Sequence, residues 1–306
     1  MSSIVSNETY RILKLSVTPG VGAACLRKIS LFAQKNGIES LYNDRDVYKF
    51  LPSRIEAYNA ESSSTSADKI LVSCDENNVR LISFLDPLYP AALKSVPDFP
   101  VLLYIKGDAA ALSKVGCAVV GTRHASKLGL SWARQIASLL VKNGFCVVSG
   151  LALGIDTAAH EGALQAGGAT VAVMAHGLDK VTPARNKNLS TQIIENGGAL
   201  VSEHAPGVPP RKQEYVRRNR IQSGLSICSL VVESSESGGS IYQGKFTLQQ
   251  NRKLFCIMPP ENTRGVSDFQ AAGARRLIRE AGAKPIGSSE ELLSAINSAE
   301  ITNSMN

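Results

Sequence analysis

Three stretches of this chain carry residue types that can do chemistry: Val119-Val120-Gly121-Thr122-Arg123, Ser149-Gly150-Leu151-Ala152-Leu153-Gly154-Ile155-Asp156 and Arg217-Arg218-Asn219-Arg220-Ile221. The first two are apolar runs that break at a glycine and continue into a helical pattern, and such a turn leaves backbone N–H groups aimed at an anion. Gly121 allows close backbone approach or a positive φ, while Arg123 adds an always-charged planar fork suited to phosphate oxygens. Each turn alone reads equally well as an ordinary strand-to-helix connection. Two of them together with an arginine cluster point to a phosphate-bearing ligand.

Several other chemistries lack their residues. A dinucleotide site needs GxGxxG at the first turn and an acidic residue closing the second strand. Here the first turn is Gly121-Thr122-Arg123-His124-Ala125-Ser126 and the second strand ends in Ser149-Gly150. No GxxxxGK[ST] and no GxSxG occurs, so neither a P-loop nor a nucleophile elbow is expected. His124, His160, His176 and His204 lack metal-ligand spacing. His160 follows Asp156 by four residues, a spacing that more often makes a hydrogen-bonded pair on one helix face than a catalytic one. The six cysteines include no CxxC pair and read as buried thiols of a reducing compartment. The expectation is a binding protein without enzymatic activity, metal or cofactor.

The formal net charge is +7 and the pI about 9.1. Between 205 and 255 there are eight Lys+Arg against three Asp+Glu, so most of the excess sits in one segment. Arg211, Lys212, Arg217, Arg218, Arg220, Lys245, Arg252 and Lys253 are interleaved there with Tyr215 and Tyr242. That mixture fits a groove that tracks a nucleic-acid backbone and stacks a base, and it also fits a solvated helix face. No apolar run is long enough to span a membrane, and the N-terminus lacks the basic start and apolar stretch of an export signal. A cytoplasmic protein is expected.

The elements that must position these residues follow from hydrophobic periodicity. Helical patterns cover 8–15, 23–36 and 46–51, with a Thr18-Pro19-Gly20-Val21-Gly22 turn that fits a packing turn or a helix-hairpin-helix. Glu61-Ser62-Ser63-Ser64-Thr65-Ser66 reads as a linker. The division expected is a small helical domain at 1–75, a Rossmann-like domain at 76–300 and a tail at 301–306. From 79 onward strands and helices alternate, and the strands are near-continuous apolar runs, as in a parallel sheet covered on both faces. The fold class is α/β, a doubly wound, mostly parallel sheet with a small N-terminal helical domain. Its ligand site belongs at the carboxyl ends of the strands, near Gly121, Ser149, Gly177, Glu203 and Glu233.

Taken in order, the motifs resemble those of the DprA/Smf family of DNA-processing proteins. They are Asp86-Pro87-Leu88-Tyr89-Pro90, Val119 to Arg123, Val147 to Asp156 with His160, Gly177-Leu178-Asp179 with Pro183 and Asn186, Ser202-Glu203, Arg218-Asn219-Arg220-Ile221 with Gly224, and Val231-Val232-Glu233. The resemblance implies a homodimer that binds single-stranded DNA and delivers RecA recombinase onto it during natural transformation. With that ligand, Gly121, Thr122 and Arg123 are expected to hold one phosphate, Ser149 and Gly150 another. Arg217, Arg218, Asn219, Arg220, Ser240 and Lys245 complete the expected contacts, with Tyr215 or Tyr242 stacking a base. The chain departs from the family where members commonly read Ser-Gly-Ser/Ala-Leu-Ile-Thr-Ala. It has Gly238-Gly239-Ser240-Ile241-Tyr242-Gln243-Gly244 there, and Ser267 to Ala274 replaces a Ser-x-Gly-x-Asn stretch. The winged-helix domain that many members carry at the C-terminus is not expected within 306 residues. The same fold also resembles nucleotide sensors and phosphoribohydrolases. The Gly-Gly-x-Gly-Thr stretch of the latter is missing, which disfavours hydrolysis and leaves small-nucleotide binding open.

Overall fold

The computed structural model describes residues 5–43, 46–47, 49–51 and 60–304. Its centre is a nine-stranded sheet: β1 (Arg80–Ser83), β2 (Leu102–Gly107), β3 (Gly116–Val120), β4 (Cys146–Ser149), β5 (Thr170–Val173), β6 (Ala199–Ser202), β7 (Ser226–Val231), β8 (Lys253–Ile257) and β9 (Lys284–Ile286). The spatial order is β1-β2-β6-β5-β4-β3-β7-β8-β9. All pairs from β6 across to β9 are parallel, and β2 joins β6 antiparallel, with β1 antiparallel beyond it. Every residue of β3, β4, β5 and β6 is buried, which explains the unbroken apolar runs. From β3 the chain winds one way to β6, then returns past β3 to start β7. The connections leaving β3 and β7 therefore diverge to opposite sides, and a crevice opens between them at the strands' carboxyl ends.

The helices preceding β7 are α1 (Asn7–Ser16), α2 (Ala23–Asn36), α3 (Ala60–Glu76), the one-turn α4 (Ala91–Lys94), α5 (Lys127–Lys142), α6 (Ile155–Gln165), α7 (Lys187–Glu195) and α8 (Lys212–Gly224). After β7 come α9 (Gly239–Gln249), α10 (Ala272–Ala281) and α11 (Ser289–Ser304). Helix starts obey local chemistry: Ser6 accepts from the Thr9 N–H at 3.2 Å and Ser126 from the Gly129 N–H at 3.0 Å. Residues of the N-terminal helices such as Ile12, Leu13 and Ile29 share one apolar core with Ile82, Leu103, Val173 and Leu200 of the sheet. Leu140, Ala158, Phe255 and Ile296 belong to a second core, beneath α5, α6 and α11. The Asp86 to Pro90 motif is structural: Phe84 stacks on Phe99 with centroids 4.3 Å apart, and the Tyr89 hydroxyl donates to the Pro100 carbonyl at 2.7 Å.

The strands and helices expected from 79 onward all form, but the short helix expected over 217–223 begins earlier, at Lys212. The Glu61 to Ser66 stretch is not a linker. It forms the first turns of α3, where Ser63 is buried and lies 3.0 Å from the Thr18 hydroxyl. Serine-rich composition mimics a linker, but tertiary burial of one face overrides weak helix propensity. The helix expected over 46–51 lies partly outside the described residues.

Gly121 ends β3 in very close quarters. A Cβ there would lie 2.5 Å from the Ile155 side chain and 2.7 Å from the Glu233 carbonyl oxygen. This glycine lets β3, the end of β7 and the start of α6 meet, and packing alone requires it here. Gly121→Ala is expected to lower the unfolding free energy by about 1–3 kcal/mol, read from urea denaturation. An unchanged midpoint would show that the junction yields and that the packing constraint is absent.

Candidate nucleic-acid interface

A cleft of about 680 Å³ occupies the crevice between β3 and β7. Its wall on one side is the turn after β3, with Gly121, Thr122, Arg123 and His124. On another side stands one face of α8, with Lys212, Tyr215, Val216, Asn219 and Gln222 at helical spacing and Arg218 beside them. The start of α9 closes the cleft with Gly238, Gly239 and Ser240, and Asp156 and Gln243 also line it. The first-turn N–H groups of a helix have no partner within the helix, and its dipole favours negative charge there. Arg123 lies 5.5 Å from the centroid of the Tyr215 ring. The cleft thus combines a cation–π pair, a lysine, a helix N-terminus and a buried arginine, a combination that suits phosphate and a stacked ring.

The two turns singled out in the sequence use several of their N–H groups internally. The Thr122 N–H donates to the Glu233 carbonyl at 2.7 Å, the His124 N–H to the Thr122 hydroxyl at 3.2 Å, and the Thr122 carbonyl accepts from the Ile155 N–H at 3.2 Å. After β4, the Gly150 and Ala152 N–H groups donate to the Asp156 carboxylate at 3.1 and 3.4 Å. The anion held by this second turn is the protein's own. Ser149 is fully buried and its hydroxyl donates to the Val119 carbonyl at 2.7 Å. Neither Ser149 nor Gly150 is therefore placed to take a phosphate, contrary to the expectation from sequence. Asn186 secures the turn by donating to the Leu151 carbonyl and the Thr157 hydroxyl, each at 2.9 Å.

Arg218 links this turn to the cleft. Its guanidinium packs where a Cβ on Gly150 would stand, and it donates to the Val173 carbonyl at the end of β5. Burial, with repulsion from Arg123, lowers its pKa to about 10, while Asp156 pulls the other way. Asp156 in turn is raised from the ordinary carboxylate range by burial, against the opposing pull of Arg218. His160 sits below, its Nδ1 2.9 Å from the Thr170 hydroxyl, and burial reinforced by Arg218 lowers its pKa to about 3.

Of the residues expected from sequence, Gly121, Thr122, Arg123, Arg218, Asn219 and Ser240 meet in the cleft. Arg217, Arg220 and Lys245 do not. Arg220 is only 2% exposed and is held by Glu203 at 2.6 Å and Asp98 at 3.1 Å. Arg217 lies off the cleft face of α8 and reaches toward Glu203 at 3.8 Å. Lys245 lies over the Tyr242 ring and lines a separate groove with Leu248 and Arg276. Arg252 is also engaged elsewhere, donating to the Ala92 carbonyl and the Ser95 hydroxyl. The basic segment is a set of separate tasks and not one stripe. Gln222 and Gln243 were missed; starting α8 at Lys212 instead of Arg217 places Gln222 on the Lys212 face by period alone. Glu203, His204 and Glu214 also converge, with ligand atoms within 4.8 Å of one another. Arg220 and Arg217 already answer the Glu203 charge there.

The family model described as DNA recombination-mediator protein A matches residues 80–297. The Smf protein of Escherichia coli K12 is 37% identical over 228 residues, covering 74% of this chain and 59% of that protein. This chain thus spans less than two thirds of that relative's length. The X-ray structure of DNA processing protein A from Streptococcus pneumoniae aligns with a TM-score of 0.78 at 33% identity, over 95% of this chain and 98% of that one. A structure of DNA processing protein A from Helicobacter pylori, described by its single-stranded DNA binding mode, aligns with a TM-score of 0.62 at 25% identity, over 72% of this chain and 96% of that one. Among the described residues no helix is long and apolar enough to cross a membrane.

The buried imidazole has a measurable consequence. Because His160 is held near 3 against an ordinary 6.5, the unfolded chain binds a proton in that interval that the native state refuses. Stability from this residue is complete above about pH 6.5 and falls as pH drops toward 3. Asp156, raised in the folded state, acts in the opposite sense. His160→Asn is expected to flatten the fall in unfolding free energy between pH 6.5 and 5 by up to about 1.4 kcal/mol per pH unit. Parallel slopes for the variant and the unmodified chain would show that His160 takes its proton while folded.

Proposed function

The chain belongs to the DNA recombination-mediator protein A family, and from that premise we propose that its cleft binds single-stranded DNA without reading sequence. The observation that carries this reading is the convergence of Arg123, Lys212, Tyr215, Arg218 and the start of α9 in one open crevice. The H. pylori relative's described binding of single-stranded DNA supports it. In this reading Arg123 and Lys212 neutralise phosphates, the α9 N-terminus holds a phosphate through its N–H groups, and Tyr215 stacks a base. The fit to single strands follows from a ring-bearing cleft in which an unstacked base is accommodated, whereas a duplex keeps its bases paired.

The same reading makes the protein a binder and not an enzyme. Asp156 is engaged by two backbone N–H groups and lies beside Arg218. Glu233 is fully buried, accepting from the Ser126 and Gln270 N–H groups at 3.0 Å each. These are structural carboxylates, and a nucleophile paired with a base is not found in the cleft among the described residues. The finer reading extends to protection of incoming single strands, homodimerisation and delivery of RecA recombinase, in the cytoplasm.

Fluorescence anisotropy with labelled oligonucleotides at several salt concentrations tests the proposal. Single strands are expected to bind more tightly than duplex, with affinity falling steeply as salt rises. Arg123→Ala is expected to cost roughly tenfold or more in affinity, corresponding to about 1.5–3 kcal/mol for a charge-assisted hydrogen bond, and to lower the salt slope by about 0.7. Arg220→Met is expected to lower stability by about 1–3 kcal/mol by taking from Glu203 its nearest charged partner, with the salt slope of the folded fraction unchanged. An Arg123→Ala protein with unaltered affinity and slope would remove Arg123 from the DNA site. A melting-temperature rise with mononucleotide but not with oligonucleotide would favour a nucleotide sensor instead.

A further inference from the structure

Gln222 and Gln243 both line the cleft, and each is 1% exposed. Two of their polar atoms, Gln222 Nε2 and Gln243 Oε1, are buried with no hydrogen-bond partner among the described residues. Such atoms are costly: a buried amide donor or acceptor left unpaired costs its desolvation with no return. The remaining ends of these side chains do not explain them. Gln243 Nε2 donates to the Ser229 hydroxyl at 3.1 Å, which accounts for that end of the amide and leaves its oxygen over.

The geometry points to a nucleobase subsite at the floor of the cleft, in which the Gln222 amide donor and the Gln243 amide acceptor pair with the hydrogen-bonding edge of an inserted base. This rests on the single-stranded DNA reading of the same cleft. The chemistry of the ligand follows from the two orphan atoms. One donor and one acceptor require a planar group that offers the complementary acceptor and donor, and every nucleobase carries such a pair on its Watson–Crick edge. The subsite therefore demands a base without choosing among bases. A phosphate cannot satisfy it, because a fully ionised phosphate has no hydrogen to offer Gln243 Oε1. The cleft volume of about 680 Å³ is enough for a nucleoside and its phosphate together. Tyr215 and Arg123 are then available to stack or clamp from above while the two amides read the edge below.

The test compares three labelled oligonucleotides of equal length on the intact protein: thymidine, abasic backbone, and an apolar thymine isostere that stacks but has no hydrogen-bonding groups. Thymidine is expected to bind about tenfold more tightly than the isostere, and the isostere more tightly than the abasic strand. Gln222→Met and Gln243→Met, close in shape but without amides, are expected to erase the difference between thymidine and the isostere while leaving the salt slope and the isostere affinity in place. Equal affinity for thymidine and isostere on the unmodified protein overturns the subsite, whether or not either variant folds. In that case salt-dependent binding of all three strands leaves the single-stranded DNA reading standing. If none of the three strands binds, both readings fall together.

Discussion

The buried carboxylate of Glu233 joins the pieces on which the cleft depends. At the end of β7 it accepts the N–H and hydroxyl of Ser126 ahead of α5 and the N–H of Gln270 ahead of α10, and its backbone carbonyl accepts the N–H of Thr122 at the end of β3. A charged group with no exposure is tolerated only where several donors converge on it. Here they come from two separate segments, ahead of α5 and ahead of α10, while the backbone carbonyl of the same residue holds the turn after β3, so satisfying the charge and assembling the crevice go together. Gly129 has no side chain because one would overlap the Glu233 carboxylate. The walls of the cleft thus follow from how the sheet closes around one anion.

A second internal anion explains why the cleft is open where it is. Asp156 fills the N–H cradle after β4 that the sequence offers to a ligand, and Arg218 lies against it, over Gly150 and bonded to the end of β5. That arrangement takes Arg218's charge partly out of play, since burial and a neighbouring carboxylate fix it in place. The cationic groups that line the cleft without a carboxylate ion-pair partner among the described residues are instead Arg123, which lies over the Tyr215 ring, and Lys212, with the start of α9 in the same cleft. In the proposed reading, phosphate is met at Arg123, Lys212 and the α9 N-terminus, while the Gln222 and Gln243 amides lie in the same cleft beside the mutually engaged Asp156 and Arg218.

The basic segment shows how charge counting and geometry diverge. Eight cations between 205 and 255 read as one surface, yet the helical turn of α8 sends Lys212 to the cleft and turns Arg217 and Arg220 away from it. Arg220 is spent on Glu203 and Asp98, the latter in the loop ahead of β2, so it fastens α8 to the antiparallel edge of the sheet. Losing that arginine and losing Arg123 are different physical events, although the two look alike in sequence.

The sequence by itself determined the doubly wound sheet, because apolar runs of strand length alternating with amphipathic helices permit few other arrangements, and glycine at the end of β3 marked the turn. It also singled out Gly121, Thr122, Arg123, Arg218, Asn219 and Ser240, which the fold brings to one cleft, since residue type and strand-end position are local properties. Which polar groups had already found partners is a matter of long-range packing. Whether an N–H faces a ligand or Asp156, whether an arginine faces solvent or Glu203, and whether a glutamine is orphaned in the floor depend on segments dozens of residues away. The serine-rich start of α3 was illegible for the same reason: composition describes a residue's preference alone, and burial against Thr18 reversed it.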